Sequence, residues 1–328
     1  MGAEIGENGA MPSIDLHPDL RDWLKSIRDR RLIELAKCEI RLRAYHLWLE
    51  RGSPLGSPNV DWENAELALI AERELPRPDP YSLPVLRLQT LAYGGEPLSV
   101  ATGFVVAHGE AHYLITNWHV VSGRHNDTNE ILHSRGATPH SLLIWHHSAL
   151  SIAGCGAWTM REESLFDNDL TPQWIEHPRR DIRDPENWAA MSVDIVALKL
   201  TQTDEVNLFP LKRRPAERVE LAPGLPISAV GYPLGLTGAD FFPIWKTGHL
   251  ASDLDADTYQ REFLVDLTGR EGMSGAPVLY RDWRDDGTGV ARPVTSFLGI
   301  YSGRPHPSSE IGIVWRASLL EELLATQC

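Results

Sequence analysis

Cysteine is scarce in this chain: its 328 residues hold three, Cys38, Cys155 and Cys328. They are far apart and odd in number, so they form neither a paired metal knuckle nor a disulfide framework. The expected setting is reducing and cytoplasmic, with free thiols. Long apolar runs are missing too. No stretch of about 18 apolar residues occurs, so no membrane span is expected. The opening MGAEIGENGAMPSIDLHPDL lacks a basic segment followed by an apolar one, so no secretory signal is expected either. Positive charge is in deficit, with 31 basic against 45 acidic residues and a net charge of −14. A duplex-binding protein needs a positive face to displace counterions, so a nucleic-acid partner is excluded. No internal repeat or low-complexity tract is found.

What is present is ordinary globular material, 42% hydrophobic and 23% charged. That balance can bury a sizeable core, and the length allows two domains. Residues 1–12 are small and polar and are expected to be a mobile N-terminus. Residues 13–75 read as a small helical domain. Leu20, Trp23, Leu24 and Ile27 recur at helical steps, as do Ile40, Ala44, Leu47 and Trp48. Gly52 and Pro54 mark a helix end. A further helix is predicted to start near Asp61, with that carboxylate as its cap. Residues 76–84, PRPDPYSLP, cannot continue a helix and read as a linker.

From residue 85 to 328 the texture changes. Val85–Leu91, Thr102–Ala107, His112–Thr116, Ser141–His146, Val193–Leu200, Ile227–Val230, Phe263–Leu267, Pro277–Tyr280, Phe297–Tyr301 and Ile311–Trp315 are short, apolar and rich in β-branched residues. Many short strands without helices between them predict an all-β sandwich or barrel. Ala317–Thr326 is again helical.

Three segments carry chemistry. ATGFVVAHGEAHYLITNWHVV places His119 just after a strand. MSVDIVALKL places Asp194 at the start of one. TGREGMSGAPVLY places Ser274 in a glycine-flanked turn. A serine hydroxyl is protonated at neutral pH and needs a base, and the base needs a carboxylate to fix its tautomer. The order His, Asp, Ser is one in which this arrangement recurs. The amides of Gly272 and Ser274 are placed to converge on an oxyanion, and Gly272 and Gly275 permit conformations that a Cβ obstructs.

These segments resemble the His, Asp and Ser motifs of bacterial trypsin-like (chymotrypsin-fold) serine peptidases, and most closely the high-temperature-requirement branch. AVGYPLGLTGADFFPIWKTGHLAS and WIEHPRRDIRD add to the likeness, which covers about residues 85 to 325. The resemblance implies a mainly β fold: two six-stranded antiparallel barrels, here preceded by the small helical domain and followed by a C-terminal helix. It also implies catalytic His119, Asp194 and Ser274, with an oxyanion hole of Gly272 and Ser274. Ser302 matches the serine that contacts the buried aspartate, and Tyr301 to Arg304, with Gly303 among them, would line the strand that pairs with substrate backbone. Thr268 would form the base of the primary specificity pocket. Being uncharged, it predicts small or medium apolar side chains before the scissile bond, with Asp266 as the competing acid. The expected activity is a cofactor-free serine endopeptidase acting on protein or peptide substrates.

The chain departs from that pattern at Ala276, which replaces a glycine, and at Met273, which removes the aspartate that pairs with a freed N-terminus in digestive relatives. No PDZ-like domain is expected after Trp315. Residues 39–74 resemble a short bacterial helical domain of unknown function, a candidate site for a protein partner. The alternative reading is a catalytically inert peptidase-fold binding module. An esterase is weaker, since no GxSxG elbow with strand–helix alternation is present. His146, His147, Asp167, Asp169 and His177 match no closed metal site and read as loop residues, and SDLDAD reads as a solvated turn.

Overall fold

The computed structural model describes residues 25, 37–52, 58–74, 78–151, 154–180, 192–213, 221–254, 261–285, 291–306 and 308–326. The expected mobile start, the repeat from Leu20 to Ile27, Pro54, Cys328 and the second half of SDLDAD lie outside them. Backbone contacts divide the chain into two units, Met1–Arg77 and Pro78–Cys328.

The first unit holds helices α1, Lys37–Glu50, and α2, Pro58–Glu74. Helical spacing puts Ile40 and Ala44 of α1 on one buried face against Ala65 of α2, with Leu47, Trp62 and Leu69 packed around them. Gly52 follows α1 at φ +81°, the left-handed conformation that suits a glycine after a helix. Helix α2 starts three residues before the predicted position, at Pro58. Proline fits there because the first-turn amides need no intrahelical partner. Asp61 is therefore not the cap. It is 3% exposed and accepts a two-pronged contact from Arg51, at 2.9 and 2.7 Å.

The second unit is all antiparallel. Its first sheet contains β1 (Val85–Leu91), β2 (Pro97–His108), β3 (Ala111–Thr116), β4 (Ser141–Ser148), β5 (Trp158–Ser164), β6 (Trp174–Glu176), β7 (Val196–Lys199) and β8 (Val206–Asn207). They run in the order β5-β4-β1-β2-β3-β7-β6, with β8 beside β4. The second sheet is a closed six-stranded barrel, β10-β11-β14-β13-β12-β9. Its strands are β9 (Pro226–Gly231), β10 (Ile244–Leu250), β11 (Glu262–Asp266), β12 (Pro277–Asp285), β13 (Ala291–Gly303) and β14 (Ile311–Arg316). The fold is thus mainly β, with one closed barrel and one half-barrel sheet. The half-barrel ends on two strands, β5 and β6, that each pair on one side only.

Alternation along the strands sorts the side chains. Leu86, Leu88, Val105, Leu114 and Ile144 fill the inside of the first sheet. Phe104, Val106 and Ile115 face the other way, toward Val230, Leu279, Ile300 and Trp315 of the barrel. A short helix, α3 (Trp118–Ser122), follows β3. The C-terminal helix α4, Ala317–Ala325, closes the second unit's core with Leu319, Leu320, Leu323 and Leu324, all buried. Each such leucine contributes about 1.5–3 kcal/mol through burial. No helix among the described residues is long and apolar enough to cross a membrane.

Candidate active site

The site lies where the first sheet meets the barrel. Strand β3 ends at Thr116, Asn117 is extended, and α3 turns His119 back toward β7. The helix stops after five residues because Gly123 adopts φ +67° and its amide bonds to the His119 carbonyl at 3.0 Å. Strand β7 pairs antiparallel with β3, Thr116 opposite Val196, which carries the preceding Asp194 alongside His119.

Asp194 is 1% exposed, and three donors surround its carboxylate. The His119 amide reaches Oδ1 at 2.9 Å, His119 Nδ1 lies 2.6 Å from Oδ2, and Ser302 Oγ donates to Oδ2 at 2.6 Å. A carboxylate only accepts, so Nδ1 carries the hydrogen and Nε2 is left as the basic nitrogen. Burial acts to lower the His119 pKa. The Asp194 charge and hydrogen bond outweigh it and leave the imidazole above its ordinary value. Asn117 Nδ2 secures the acid's backbone by donating to the Asp194 carbonyl at 2.7 Å.

Ser274 sits on the loop entering β12. Gly272 and Gly275 take φ +91° and +86°. A Cβ on Gly272 would overlap the Tyr232 carbonyl, and one on Gly275 would overlap the Thr102 carbonyl. Met273, where digestive relatives carry an aspartate, is fully buried in the barrel core and anchors the loop by packing. The amides of Met273, Gly275 and Ala276 donate to Arg270, Tyr301 and Met273 carbonyls at 2.9–3.0 Å. Among the described residues those of Gly272 and Ser274 meet no acceptor, the condition an oxyanion-binding pair requires. The Ser274 hydroxyl donates to the Ser302 carbonyl at 3.1 Å. His119 and Ser274 line one cavity.

Several positions that sequence reasoning did not single out hold this arrangement. Thr102 is fully buried on β2. Its hydroxyl donates to the Gly272 carbonyl at 2.6 Å and accepts from the Tyr232 amide at 3.1 Å. Its amide donates to the Ser274 carbonyl at 2.9 Å. Thr116 Oγ1 caps the Thr102 carbonyl at 2.9 Å, and the Leu234 amide holds the Glu271 carbonyl at 2.6 Å. The available signal was a set of polar residues, Thr102 and Thr116 inside otherwise apolar strands and Asn117 just after one.

The expected substrate contacts divide. Ser302 is at the site. Arg304 bonds to the Ser309 carbonyl at 3.4 Å, and Gly303 pairs with Ile313 across β13 and β14. Thr268 turns its hydroxyl to the Glu310 carboxylate.

The histidines and acids considered as metal ligands are scattered. His146 and His147 are on strand β4, both buried, and are not loop residues. The His147 ring lies against the Gly154 and Leu83 carbonyls at 2.7 and 2.9 Å. Asp167 closes a turn on the amides of Asp169 and Thr171 at 2.9 and 2.8 Å. Among the described residues no group of three His, Cys, Asp or Glu could hold a metal.

Residues 101–284 match the family model described as a trypsin-like peptidase domain. The chain belongs to that family of serine proteases. Residues 38–74 match a family described as a protein of unknown function (DUF2934). No curated protein matches the sequence. Solved structures similar in fold include an HtrA-type protease with a tripeptide, at 16% identity and TM-score 0.42, covering 75% of this chain and 60% of that one. A serine endoprotease from Yersinia pestis aligns at 13% identity and TM-score 0.42, covering 77% and 67%. A protease from M. tuberculosis in its active form aligns at 18% identity and TM-score 0.40, covering 75% and 81%. The chain thus spans 60% of the length of the HtrA-type relative.

Proposed function

We propose that this chain is a serine endopeptidase that cleaves peptide bonds through an acyl-enzyme on Ser274. The observation that carries this reading is the buried Asp194 holding His119 Nδ1 at 2.6 Å, with Ser274 on the same cavity. Rotation of the Ser274 hydroxyl away from Ser302 brings its proton toward Nε2. His119 takes that proton as Oγ bonds to the substrate carbonyl carbon, and the carbonyl electron pair moves onto oxygen, held by the Gly272 and Ser274 amides. The C=O bond then re-forms and the C–N bond breaks, with Nε2–H protonating the departing amine. Water repeats the sequence. It gives a proton to Nε2, its oxygen bonds to the acyl carbon, and Ser274 leaves with that proton. Ser302 and Asn117 are positioning residues that fix Asp194. No cofactor is needed.

One observation favours the inert-module reading: the Ser274 hydroxyl is engaged by Ser302 and not by His119. Catalytic hydrogen bonds are often loose without substrate, so this geometry does not exclude catalysis. Fluorophosphonate labelling decides between the two. The endopeptidase reading expects covalent labelling of the unmodified chain and none of Ser274→Ala. An unlabelled chain would favour the module.

The N-terminal helices offer a partner-binding role, supported by exposed Leu42, Tyr45 and Leu49 on α1, at 61%, 53% and 43%. A chain beginning at Pro78, where the second unit starts, is expected to hydrolyse short peptides and to lose protein capture. Unchanged capture would refute the role.

A further inference from the structure

The direction in which a substrate crosses this site follows from the proton transfers, given the peptidase reading above. His119 hands its proton to the departing amine, so the residues after the scissile bond lie on the His119 side. Ser302, whose carbonyl meets Ser274 Oγ at 3.1 Å, marks the other side, where the acyl residues lie.

The two sides differ in room. On the acyl side, a side chain from the residue before the scissile bond has to pass between the segment leading into Ser274 and strand β13. Tyr301 occupies that gap. It is 1% exposed, and its backbone is locked to the nucleophile loop by bonds to Gly275 and Ala276, at 2.9 and 2.8 Å. A Cβ on Gly269 would overlap the Tyr301 hydroxyl, and one on Gly312 would overlap its ring. The two glycines are thus the space into which the tyrosine fits. Burial there pushes the Tyr301 phenol up to about 12, so it stays a neutral filler at physiological pH. The Thr268 hydroxyl, expected at the pocket base, is turned to the Glu310 carboxylate.

On the leaving-group side the reverse holds. A cavity of about 420 Å³ opens beside Ser274, Gly272 and His119. None of Thr268, Ser302, Gly303 and Arg304 lines it. Leu98, Val100, Val120, Leu132, Ala137 and Pro139 make its apolar wall. Among the polar residues there, Thr90 and Ser99 satisfy each other at 2.8 Å. His133 keeps a buried Nδ1 with no partner among the described residues. Ser134 and the exposed Glu271 are also on its lining, and a mainly apolar wall with few polar groups suits an apolar side chain carried on a peptide backbone.

We propose that this chain selects its substrates on the leaving-group side. An apolar side chain after the scissile bond enters the cavity of β2, α3 and the 132–139 segment, while Tyr301 limits the residue before the bond to glycine, alanine or serine.

The test is an internally quenched peptide library cut by the full chain, with the residues on each side of the bond varied in turn. Filling an apolar pocket with one or a few extra carbons discriminates by about ten-fold or more. Phenylalanine or leucine is therefore expected to exceed glycine or aspartate after the bond by that factor. Cleavage after leucine, methionine, arginine or lysine is expected to be weak. Ala137→Trp should shrink the phenylalanine-to-glycine ratio after the bond. Tyr301→Val should raise the leucine-to-alanine ratio before it, and the library on the unmodified chain decides even where that variant fails to fold. Strong selection for a large residue before the bond, with a flat profile after it, would overturn the inference. Fluorophosphonate labelling run alongside separates the two failures: a labelled Ser274 with that profile overturns the inference alone, and an unlabelled chain overturns the peptidase reading with it.

Discussion

On the half-barrel side of the cleft, the site is held by side-chain hydrogen bonds. Asp194 receives the His119 amide, the His119 ring and the Ser302 hydroxyl at 2.6–2.9 Å. On the barrel side, it is held by backbone shape. Gly272 and Gly275 take left-handed conformations, and no Cβ fits at either. The base and acid need orientation and charge, which polar contacts supply. The nucleophile and its amides need a concave main chain, which only glycine permits. The two halves should therefore fail differently.

The largest effect is expected where both halves meet in chemistry. Ser274→Ala or His119→Ala should lower kcat/KM by a factor on the order of 10⁶, since such residues act as a unit. Steady-state hydrolysis of a casein or peptide substrate measures it, with folding checked by thermal melting. Next comes the barrel side: Gly272→Ala should cost about 10²–10³ in kcat by moving an oxyanion donor. It should also lose about 1–3 kcal/mol of stability from strain at positive φ. Near-normal activity in that variant would break the contrast. For the acid on the half-barrel side, Ser302→Ala, a change on barrel strand β13, removes one of three donors to the Asp194 carboxylate, worth about 1.5–3 kcal/mol and so roughly ten-fold or more in rate. Without that donor more of the Asp194 charge faces the His119 imidazolium, so its signature is an upward move of the pH–rate midpoint, which a purely structural loss would not produce.

The smallest effect concerns stability. His146 is buried on β4 with both ring nitrogens lacking partners among the described residues. Burial, then the neighbouring His147 and Arg161 charges, lower its pKa to about 4. The unfolded chain takes up that proton near 6.5, so between these values it binds more protons than the folded one. Stability is then complete above about pH 6.5 and declines by roughly 3 kcal/mol as pH falls toward 4. His146→Phe should flatten that slope in denaturant titrations at several pH values. An unchanged slope would locate the acid sensitivity elsewhere.

Much of this was legible in the residues. The strand carrying Val85–Leu91 was read to its ends, because its four apolar residues, Val85, Leu86, Leu88 and Leu91, lie in a short run between proline and glycine signals. His119, Asp194 and Ser274 stood out because each borders an apolar strand. Strand β5, WTMREES, was not seen, since it pairs only with β4 and is largely solvent-facing, so charge hides its alternation. The start of α2 was misplaced because Asp61 is a good cap residue by type, and its partner Arg51 lies ten positions away. The contacts of Thr102 and of the Tyr301 ring were beyond reach for a related reason. Thr102 meets Gly272 170 residues away, and Tyr301 fits glycines that flank it at distances no local pattern encodes.

The most direct test of the account is the pH dependence of Ser274 modification by a fluorophosphonate. The nucleophile is active only when His119 is neutral, and Asp194 holds that imidazole above its ordinary value. Labelling at Ser274 should therefore rise through a single step whose midpoint lies above about 6.5. Labelling that is absent, that falls on another residue, or that does not vary with pH would contradict it.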